Sequence, residues 1–168
     1  MADTPSPDPA PIVDAPPVSP PGESLSMDEV TVRQSTPLDA QAIHALMRPF
    51  VSQHLLLSRT EAEIIELTRH GYVAMVGPRC IGFAAIEVYS TKLAELQCLA
   101  VHPEAQRLGL GRKLVGHCIE RARTLGVMEI LAISSSEDFL KSCGFDYSLP
   151  DQKKALFCQL RPRNFDDH

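Results

Sequence analysis

The residues with the clearest chemical pattern form a glycine-bearing turn at positions 106–111, between an apolar run and an amphipathic stretch. Gly109 and Gly111 let the backbone approach a ligand without a Cβ in the way, and Arg107 and Arg112 add positive charge. The stretch that follows predicts a helix, whose first turn has unpaired N–H groups and the positive end of the helix dipole. These features predict an anion site that suits a pyrophosphate.

Two better-known phosphate loops do not fit this turn. The chain has no Gly-x-x-x-x-Gly-Lys-Ser/Thr sequence, which excludes a P-loop. The Gly-x-Gly at 109–111 is followed by Leu114 where a Rossmann dinucleotide loop has its third glycine, which weakens that alternative. The structural alternative is a strand–helix connection whose glycines only allow tight packing.

The flanking segments predict how this turn is positioned. Residues 96–101 form an apolar run typical of a buried strand, and apolar residues recur at helical spacing from Leu110 to Leu125. Gly126 follows where a left-handed C-terminal cap is usual. We therefore expect a strand, a turn and a long amphipathic helix in succession.

The rest of the chain predicts a mixed α/β domain. Cap patterns at Thr36 and Thr60 predict two helices, the second ending at Gly71, and a short helix is expected at 137–142. The further strands are expected at 29–33, 72–76, 80–88, 128–133, 145–147 and 156–160. The resulting order is β-α-α-β-β-β-α-β-α-β-β.

The composition fits one globular domain of 168 residues, with 44% hydrophobic and 22% charged residues. A formal net charge of −5 and a pI of about 5.6 argue against a nucleic-acid surface. The five cysteines include no Cys-x-x-Cys pair, so neither a disulfide framework nor a zinc site is expected. No apolar stretch approaches the roughly 20 residues of a membrane span. A reducing, cytoplasmic location is the expected one.

The first 26 residues differ from the rest of the chain. They carry eight of the fourteen prolines and no aromatic residue. Such a segment buries too little apolar surface to offset its ordering entropy, which predicts a disordered extension over 1–26. It has no basic region followed by an apolar stretch, so a signal peptide is not expected. The folded domain is expected over 27–162, followed by a tail at 163–168.

The turn resembles the Gln/Arg-x-x-Gly-x-Gly/Ala signature of the GNAT family of N-acetyltransferases, matched by Gln106, Gly109 and Gly111 after the letters AVHPEA. The element order is similar to that of the family, and Cys143-Gly144-Phe145 resembles the Gly-Phe that ends its fourth helix. The resemblance covers residues 28–161. It implies the GNAT acyl-CoA N-acyltransferase fold, in which helices flank a mixed, mostly antiparallel sheet.

The resemblance also implies acetyl-CoA as co-substrate, without a metal. In this family the turn cradles the pyrophosphate, and the central strand diverges from the next one so that the pantetheine arm pairs with its free amides. A backbone N–H there would polarise the thioester carbonyl. The residues implied to bind the cofactor are Leu99, Ala100, Val101, Gln106, Arg107, Leu108, Gly109, Leu110, Gly111 and Arg112.

Acetyl transfer to an amine also needs a base. Glu95 stands at the start of the central strand, four residues before Leu99, and is predicted to take the proton directly or through water. The structural alternative is a strand-end acid that faces solvent. Many GNAT enzymes carry a tyrosine in the fourth helix as acid for the leaving thiolate, and Leu140 stands at that position here. A hydroxyl such as Ser134 or Ser135, or solvent, would replace it.

A narrower resemblance is to the catalytic domain of N-acetylglutamate synthase, as a short stand-alone form. It is carried by the stretches MRPFVSQHLLLSRTEAEI, AELQCLAVHPEAQ, ILAISSSEDFLKSCGF and PDQKKALFCQLRP. It implies acetylation of the α-amine of L-glutamate, the first step of arginine biosynthesis. Acceptor binding then falls on Arg59, Cys98 and Arg161, and catalysis on Glu95 and Ser134. Arginine forks can hold the two glutamate carboxylates bidentately.

Two other functions stay open from the sequence. One is acetylation of another small amine or of a protein amino group, which the net acidity suits. The other is a non-catalytic acetyl-CoA-binding module, which Leu140 favours. The expected partner is a small-molecule amine, with no nucleic acid and no membrane, and a homodimer is compatible with each function.

Overall fold

The computed structural model of the chain describes residues 25–134, 136–149, 158 and 160. Its helices and strands, in chain order, are β1 (Thr31–Gln34), α1 (Ala40–Ser52), α2 (Glu61–Thr68), β2 (Gly71–Val76), β3 (Arg79–Val88), β4 (Leu93–Val101), α3 (Leu110–Thr124), β5 (Glu129–Ala132) and α4 (Glu137–Ser142). Short 3₁₀ turns lie at Met27–Glu29, Pro37–Asp39 and Pro103–Ala105. None of the helices in these ranges is both long enough and apolar enough to cross a membrane.

The described strands form one five-stranded sheet in the order β1-β2-β3-β4-β5. The first four strands are antiparallel neighbours, and β5 runs parallel to β4. A parallel pair needs a crossover connection, which α3 supplies. The expected fold class, a mixed and mostly antiparallel sheet flanked by helices, is confirmed.

Helices cover both faces of the sheet. On one face α1 and α2 pack against the sheet, with Ile43, Ile64 and Phe83 fully buried. On the other face α3 packs through residues such as Leu114 and Val115, also fully buried. Full burial of an aliphatic or aromatic side chain stabilises the fold by about 1.5–3 kcal/mol. The two cores therefore hold the central strand β4 firmly between them.

The capping predictions for the helices are confirmed in their essentials. The Thr60 N–H donates to the Glu63 carboxylate at 2.7 Å, and the Glu63 N–H donates to the Thr60 hydroxyl at 3.3 Å, which starts α2 with a capping box. After α3, Gly126 takes a φ of 71°, the left-handed conformation expected of a residue that follows a helix.

Gly71 was expected to end the second helix, and that expectation was wrong. The helix ends at Thr68, and Gly71 is the first residue of β2. A Cβ on Gly71 would lie 2.6 Å from the Ser35 hydroxyl oxygen and 2.8 Å from Cε2 of Phe83. The glycine therefore allows close packing at the strand start, and it does not cap the helix.

The strand expected at 145–147 is also absent from the described structure. The Phe145 N–H instead donates to the Leu140 carbonyl at 3.1 Å, and the Gly144 N–H to the Lys141 carbonyl at 3.0 Å. These bonds close the C-terminal end of α4, with Gly144 at a φ of 95°. The strand expected at 156–160, the proline-rich residues 1–24 and the tail at 163–168 lie outside the described residues, apart from Cys158 and Leu160.

Candidate active site

The central strand β4 diverges from β5 partway along its length. Residues 93–96 pair with Glu129–Ala132, whereas 97–101 have no strand partner on that side among the described residues. On its other side, Phe83 opposes Ala100 and Ala85 opposes Gln97, so β4 has an extra residue there. Cys98 takes a φ of 57° at this bulge. Bulges bend a strand, and this one accompanies the opening of a gap beside β4.

A cavity of about 680 Å³ occupies this gap. It is bounded by the end of β4, the turn before α3, the end of β5 and the start of α4. The residues that line it from among those singled out in the sequence are Cys98, Leu99, Val101, Gln106, Arg107, Gly109, Leu110, Gly111, Arg112 and Ser134. Ala100 is buried beneath α1 and α2 instead, and Leu108 lies outside the lining.

The turn before α3 has the backbone geometry of an anion site. Arg107 and Gly109 have φ values of 67° and 81°, so the backbone is in the left-handed region at both positions just before the helix. Gly109 precedes α3 without any side-chain cap, which leaves the first-turn N–H groups for a ligand. A Cβ on Gly111 would lie 3.3 Å from Cζ of Phe139, so a glycine keeps this wall of the cavity open.

Two polar side chains of the turn are engaged within the protein. The Gln106 amide donates to the Val101 carbonyl at 3.1 Å, which ties the turn to the end of β4. The Arg112 guanidinium donates to the Ser142 carbonyl at 2.6 Å and to its hydroxyl at 3.0 Å, which ties α3 to α4. The turn is thereby held in shape before any ligand arrives. Its open N–H groups, glycines and arginines fit a pyrophosphate, and the gap beyond fits a pantetheine arm.

Glu95 lies on β4, opposite Glu87 of β3. Its carboxylate accepts a hydrogen bond from the Tyr89 hydroxyl. Burial and this hydrogen bond raise the pKa of Tyr89 to about 12, so the phenol stays protonated and acts as a donor at neutral pH. The sequence analysis missed Tyr89. Its place just before the turn between two expected strands puts it near Glu95, but the strand pattern does not define the length of that turn.

Arg59 reaches this part of β4 from the segment before α2. One terminal nitrogen donates to the Gln97 amide oxygen at 2.9 Å, and the other lies 3.8 Å from a Glu63 carboxylate oxygen. Its Nε is buried and has no hydrogen-bond partner in the part of the chain that the structure describes. The Gln97 amide nitrogen in turn donates to Glu87 at 3.3 Å. A cation with spare hydrogen-bonding capacity thus stands beside β4.

Arg59 also approaches Cys98, the bulge residue. Burial raises the pKa of the Cys98 thiol, and the nearby guanidinium opposes that rise. The thiol is therefore neutral near pH 7, and Cys98 contributes shape and apolar surface to the site. Two residues predicted to bind the acceptor, Arg59 and Cys98, are thus brought into contact, and Glu95 is three positions from Cys98 on the same strand.

The remaining predicted residues are distributed as follows. Ser134 lines the cavity just after β5, and its hydroxyl oxygen accepts a hydrogen bond from the Ser136 N–H at 3.0 Å. Leu140 is buried and forms part of the cavity wall, so α4 presents an apolar group at the position where the family resemblance implied a tyrosine. Arg161 and Ser135 lie outside the described residues.

Residues 40–145 match the Acetyltransferase (GNAT) family. The chain is 32% identical over 117 residues to an uncharacterized N-acetyltransferase of Chlorobaculum tepidum, covering 70% of this chain and 76% of that protein. It is 30% identical over 134 residues to the amino-acid acetyltransferase of Neisseria meningitidis, covering 78% of this chain. It spans only 31% of the length of that enzyme.

Solved structures show the same fold. N-acetylglutamate synthase of Neisseria gonorrhoeae, complexed with coenzyme A and N-acetyl-glutamate, superposes with a TM-score of 0.61 at 30% identity, over 67% of this chain and 27% of that one. Rv2747 of Mycobacterium tuberculosis, in complex with CoA, gives a TM-score of 0.62 at 23% identity, over 68% and 70% of the two chains. The chain therefore belongs to the acetyltransferase (GNAT) family, with acetyl-CoA as its acetyl donor.

Proposed function

We propose that this protein transfers the acetyl group of acetyl-CoA to the α-amine of L-glutamate, the step that opens arginine biosynthesis. The observation that carries the proposal is the position of Arg59, which stands against Cys98 and Gln97 where β4 leaves β5. A partly buried guanidinium with an unused Nε–H favours a carboxylate ligand, because charge-assisted hydrogen bonds are strong where water is scarce.

The chemistry follows from what surrounds the gap. Bound acetyl-CoA supplies a thioester whose carbonyl carbon is electrophilic. Glu95 accepts a proton from the acceptor ammonium, which frees the nitrogen lone pair for attack. Backbone groups of β4 beyond Leu96 face the gap and are placed to polarise the thioester oxygen. As the bond from carbon to sulfur breaks, the Ser134 hydroxyl or solvent donates a proton to the leaving thiolate.

The relatives support this acceptor. The Neisseria meningitidis relative is an amino-acid acetyltransferase, and the Neisseria gonorrhoeae synthase was solved with N-acetyl-glutamate bound. This chain spans 31% of the first and 27% of the second, so the substrate assignment rests on Arg59 and on the predicted role of Arg161 as well as on these likenesses.

A second acceptor class is favoured by a different observation. Three carboxylates lie on this part of the structure. Glu63 is 3.8 Å from Arg59, Glu87 accepts a hydrogen bond from Gln97, and Glu95 is opposite Glu87. Together with the net charge of −5, they suit a cationic acceptor such as a polyamine or a lysine side chain. In that case the positive charge of Arg59 would offset part of the negative charge of these carboxylates, and the acceptor amine would bind among them.

The two acceptor classes are separated by measuring thiol release from acetyl-CoA. We expect release with L-glutamate, and much less with L-aspartate, L-glutamine, spermidine or no acceptor. Arg59→Ala should abolish glutamate-dependent release while leaving acetyl-CoA binding intact. Arg69→Ala is the matched control, because Arg69 is an exposed arginine whose ion-pair partner is the similarly exposed Glu66. Release that depends on spermidine and ignores glutamate would replace the glutamate assignment with the cationic one.

A further inference from the structure

We propose that Gln97 is a specificity-determining residue that keeps Arg59 available to an acidic acceptor. This inference rests on the proposed function and deepens it, because it names the group that sets the charge preference of the acceptor site. Gln97 presents a neutral amide within hydrogen-bonding distance of the guanidinium, where a carboxylate would pair with it.

The geometry fixes the Gln97 amide at both ends. Its oxygen accepts from Arg59 at 2.9 Å, and its nitrogen donates to Glu87 at 3.3 Å. An amide has one acceptor end and one donor end, so Glu87 orients the oxygen toward the guanidinium. Gln97 therefore holds the Arg59 fork in place beside β4 and adds no second carboxylate to the ion pair that Arg59 forms with Glu63 at 3.8 Å.

The anion nearest to Arg59 in the described structure is the carboxylate of Glu63, which makes its hydrogen bonds in the N-terminal cap of α2. One oxygen of Glu63 lies 3.8 Å from the guanidinium, beyond hydrogen-bonding distance. The other oxygen accepts from the Thr60 N–H at 2.7 Å and from its hydroxyl at 3.0 Å, in the cap of α2. The bond from the Thr60 N–H is the main cause that lowers the pKa of Glu63, so this carboxylate stays ionised in the cap.

Arg59 is thus a largely enclosed cation with a neutral primary partner. Its side chain is 22% exposed, and its Nε has no hydrogen-bond partner among the described residues. Enclosing a charge is costly unless an opposite charge or further hydrogen bonds compensate it. An acceptor carboxylate that enters beside Cys98 would supply that compensation, whereas a glutamate at position 97 would supply it permanently.

The test compares three variants with the parent protein. Gln97→Glu adds the internal carboxylate, Gln97→Met removes both hydrogen bonds without adding charge, and Gln41→Glu adds the same charge at an exposed site on α1 as a control. For each protein we would measure kcat, the KM for L-glutamate and for acetyl-CoA, and calorimetric binding of L-glutamate in the presence of CoA.

We expect Gln97→Glu to raise the Kd and KM for L-glutamate by about tenfold to a hundredfold. A change of this size corresponds to the loss of one charge-assisted hydrogen bond. The KM for acetyl-CoA should stay within about twofold of the parent value, since the pyrophosphate turn is untouched. Gln97→Met should raise the Kd and KM for L-glutamate by less. Arg59 then loses the hydrogen bond that positions it, but its charge is still available to the acceptor. Gln41→Glu should match the parent.

Two results would overturn the inference while leaving the proposed function standing. One is a Gln97→Glu protein that binds L-glutamate as tightly as the parent. The other, decisive if Gln97→Glu fails to fold, is a folded Gln97→Met protein with parent-like affinity for L-glutamate. If the parent itself neither binds nor acetylates L-glutamate, the proposed acceptor is wrong and the inference about Gln97 falls with it.

Discussion

The Tyr89 hydroxyl donates a hydrogen bond to the carboxylate of Glu95 across the turn between β3 and β4. The turn is closed by the N–H groups of Tyr89 and Ser90, which donate to the Leu93 carbonyl at 3.0 and 3.1 Å. The proposed base is therefore held by a neutral donor from the adjoining strand end. A carboxylate oriented in this way can accept a proton without first reorganising.

Tyr89→Phe tests the importance of this hydrogen bond. Without this donor the Glu95 carboxylate is no longer held in one orientation, so proton transfer from the acceptor ammonium should slow. We expect kcat to fall by about tenfold, with the KM for acetyl-CoA unchanged. Tyr72→Phe is the control, because that ring stacks on His117, with ring centroids 4.9 Å apart. A parent-like kcat in Tyr89→Phe would show that Tyr89 does not support the base.

Glu95→Gln tests the base itself. The amide keeps the shape of the side chain and cannot accept the ammonium proton, so turnover should fall by about 10²–10⁴-fold. Acetyl-CoA affinity should stay unchanged, because the cofactor turn lies at the other end of β4. The control is Glu120→Gln, whose carboxylate is 67% exposed on α3. Parent-like turnover in Glu95→Gln would remove this residue from the mechanism.

Gly111→Ala tests the acetyl-CoA cavity. The added Cβ would lie 3.3 Å from Phe139, so that ring must shift into the cavity wall. We expect the KM for acetyl-CoA to rise by about tenfold, consistent with a packing conflict of about 1–3 kcal/mol.

Gly116→Ala provides the matched control within the same helix. A Cβ at Gly116 would have no heavy atom within 4 Å, so acetyl-CoA kinetics should be unchanged. The free energy of unfolding should rise by about 0.4–1 kcal/mol, because alanine is the better helix former. Equal effects of the two substitutions on the KM would contradict the assigned role of Gly111.

Asp39→Asn tests an ion pair that links β1 to the start of α1. The two carboxylate oxygens of Asp39 accept from Arg33 at 2.8 and 2.7 Å. The hydrogen bond from Arg33 is the main cause that lowers the pKa of Asp39 to about 2. The folded pKa lies below the unfolded value of about 3.9, so this stabilisation is present above about pH 4 and is lost as the pH falls toward 2.

Urea unfolding at several pH values checks that prediction. We expect Asp39→Asn to lower the free energy of unfolding by about 1–2 kcal/mol at pH 7, with allowance for the exposure of Arg33. The deficit should shrink below pH 4. Glu66→Gln, in the exposed pair with Arg69, should change stability by less than about 0.5 kcal/mol. A deficit that is the same at pH 7 and pH 3 would contradict the assigned pKa.

The features that could be predicted from the sequence are those with local causes. The glycine turn at 106–111, the capping box at Thr60 and the cap at Gly126 each depend on residues within a few positions of one another. The role of Gly71 could not be read in this way, because Ser35 and Phe83, which crowd it, come from distant segments. A glycine that caps a helix and a glycine that permits close packing can have the same neighbours in sequence, so the local sequence does not distinguish them.

The hydrogen bonds around Arg59 join segments that are distant in sequence. Arg59 and Gln97 are 38 positions apart, and nothing near either residue indicates that they meet. Tyr89 and Glu95 are close in sequence, yet their contact depends on the length of a hairpin turn that the alternation of residues does not define. Most of the residues that line the cavity could therefore be anticipated from the sequence, apart from Ala100 and Leu108, and the hydrogen-bond network around Arg59 could not.

The most direct test of the proposed function is to identify the product. Acetyl-CoA labelled with ¹³C in the acetyl group would be incubated with the protein and L-glutamate, and the product examined by NMR and mass spectrometry. Glutamate acetylation predicts the labelled acetyl group on the α-nitrogen of glutamate, formed by the parent and lost in Glu95→Gln. Label that remains on coenzyme A, or that appears on a different amine when a mixture of acceptors is offered, would contradict it.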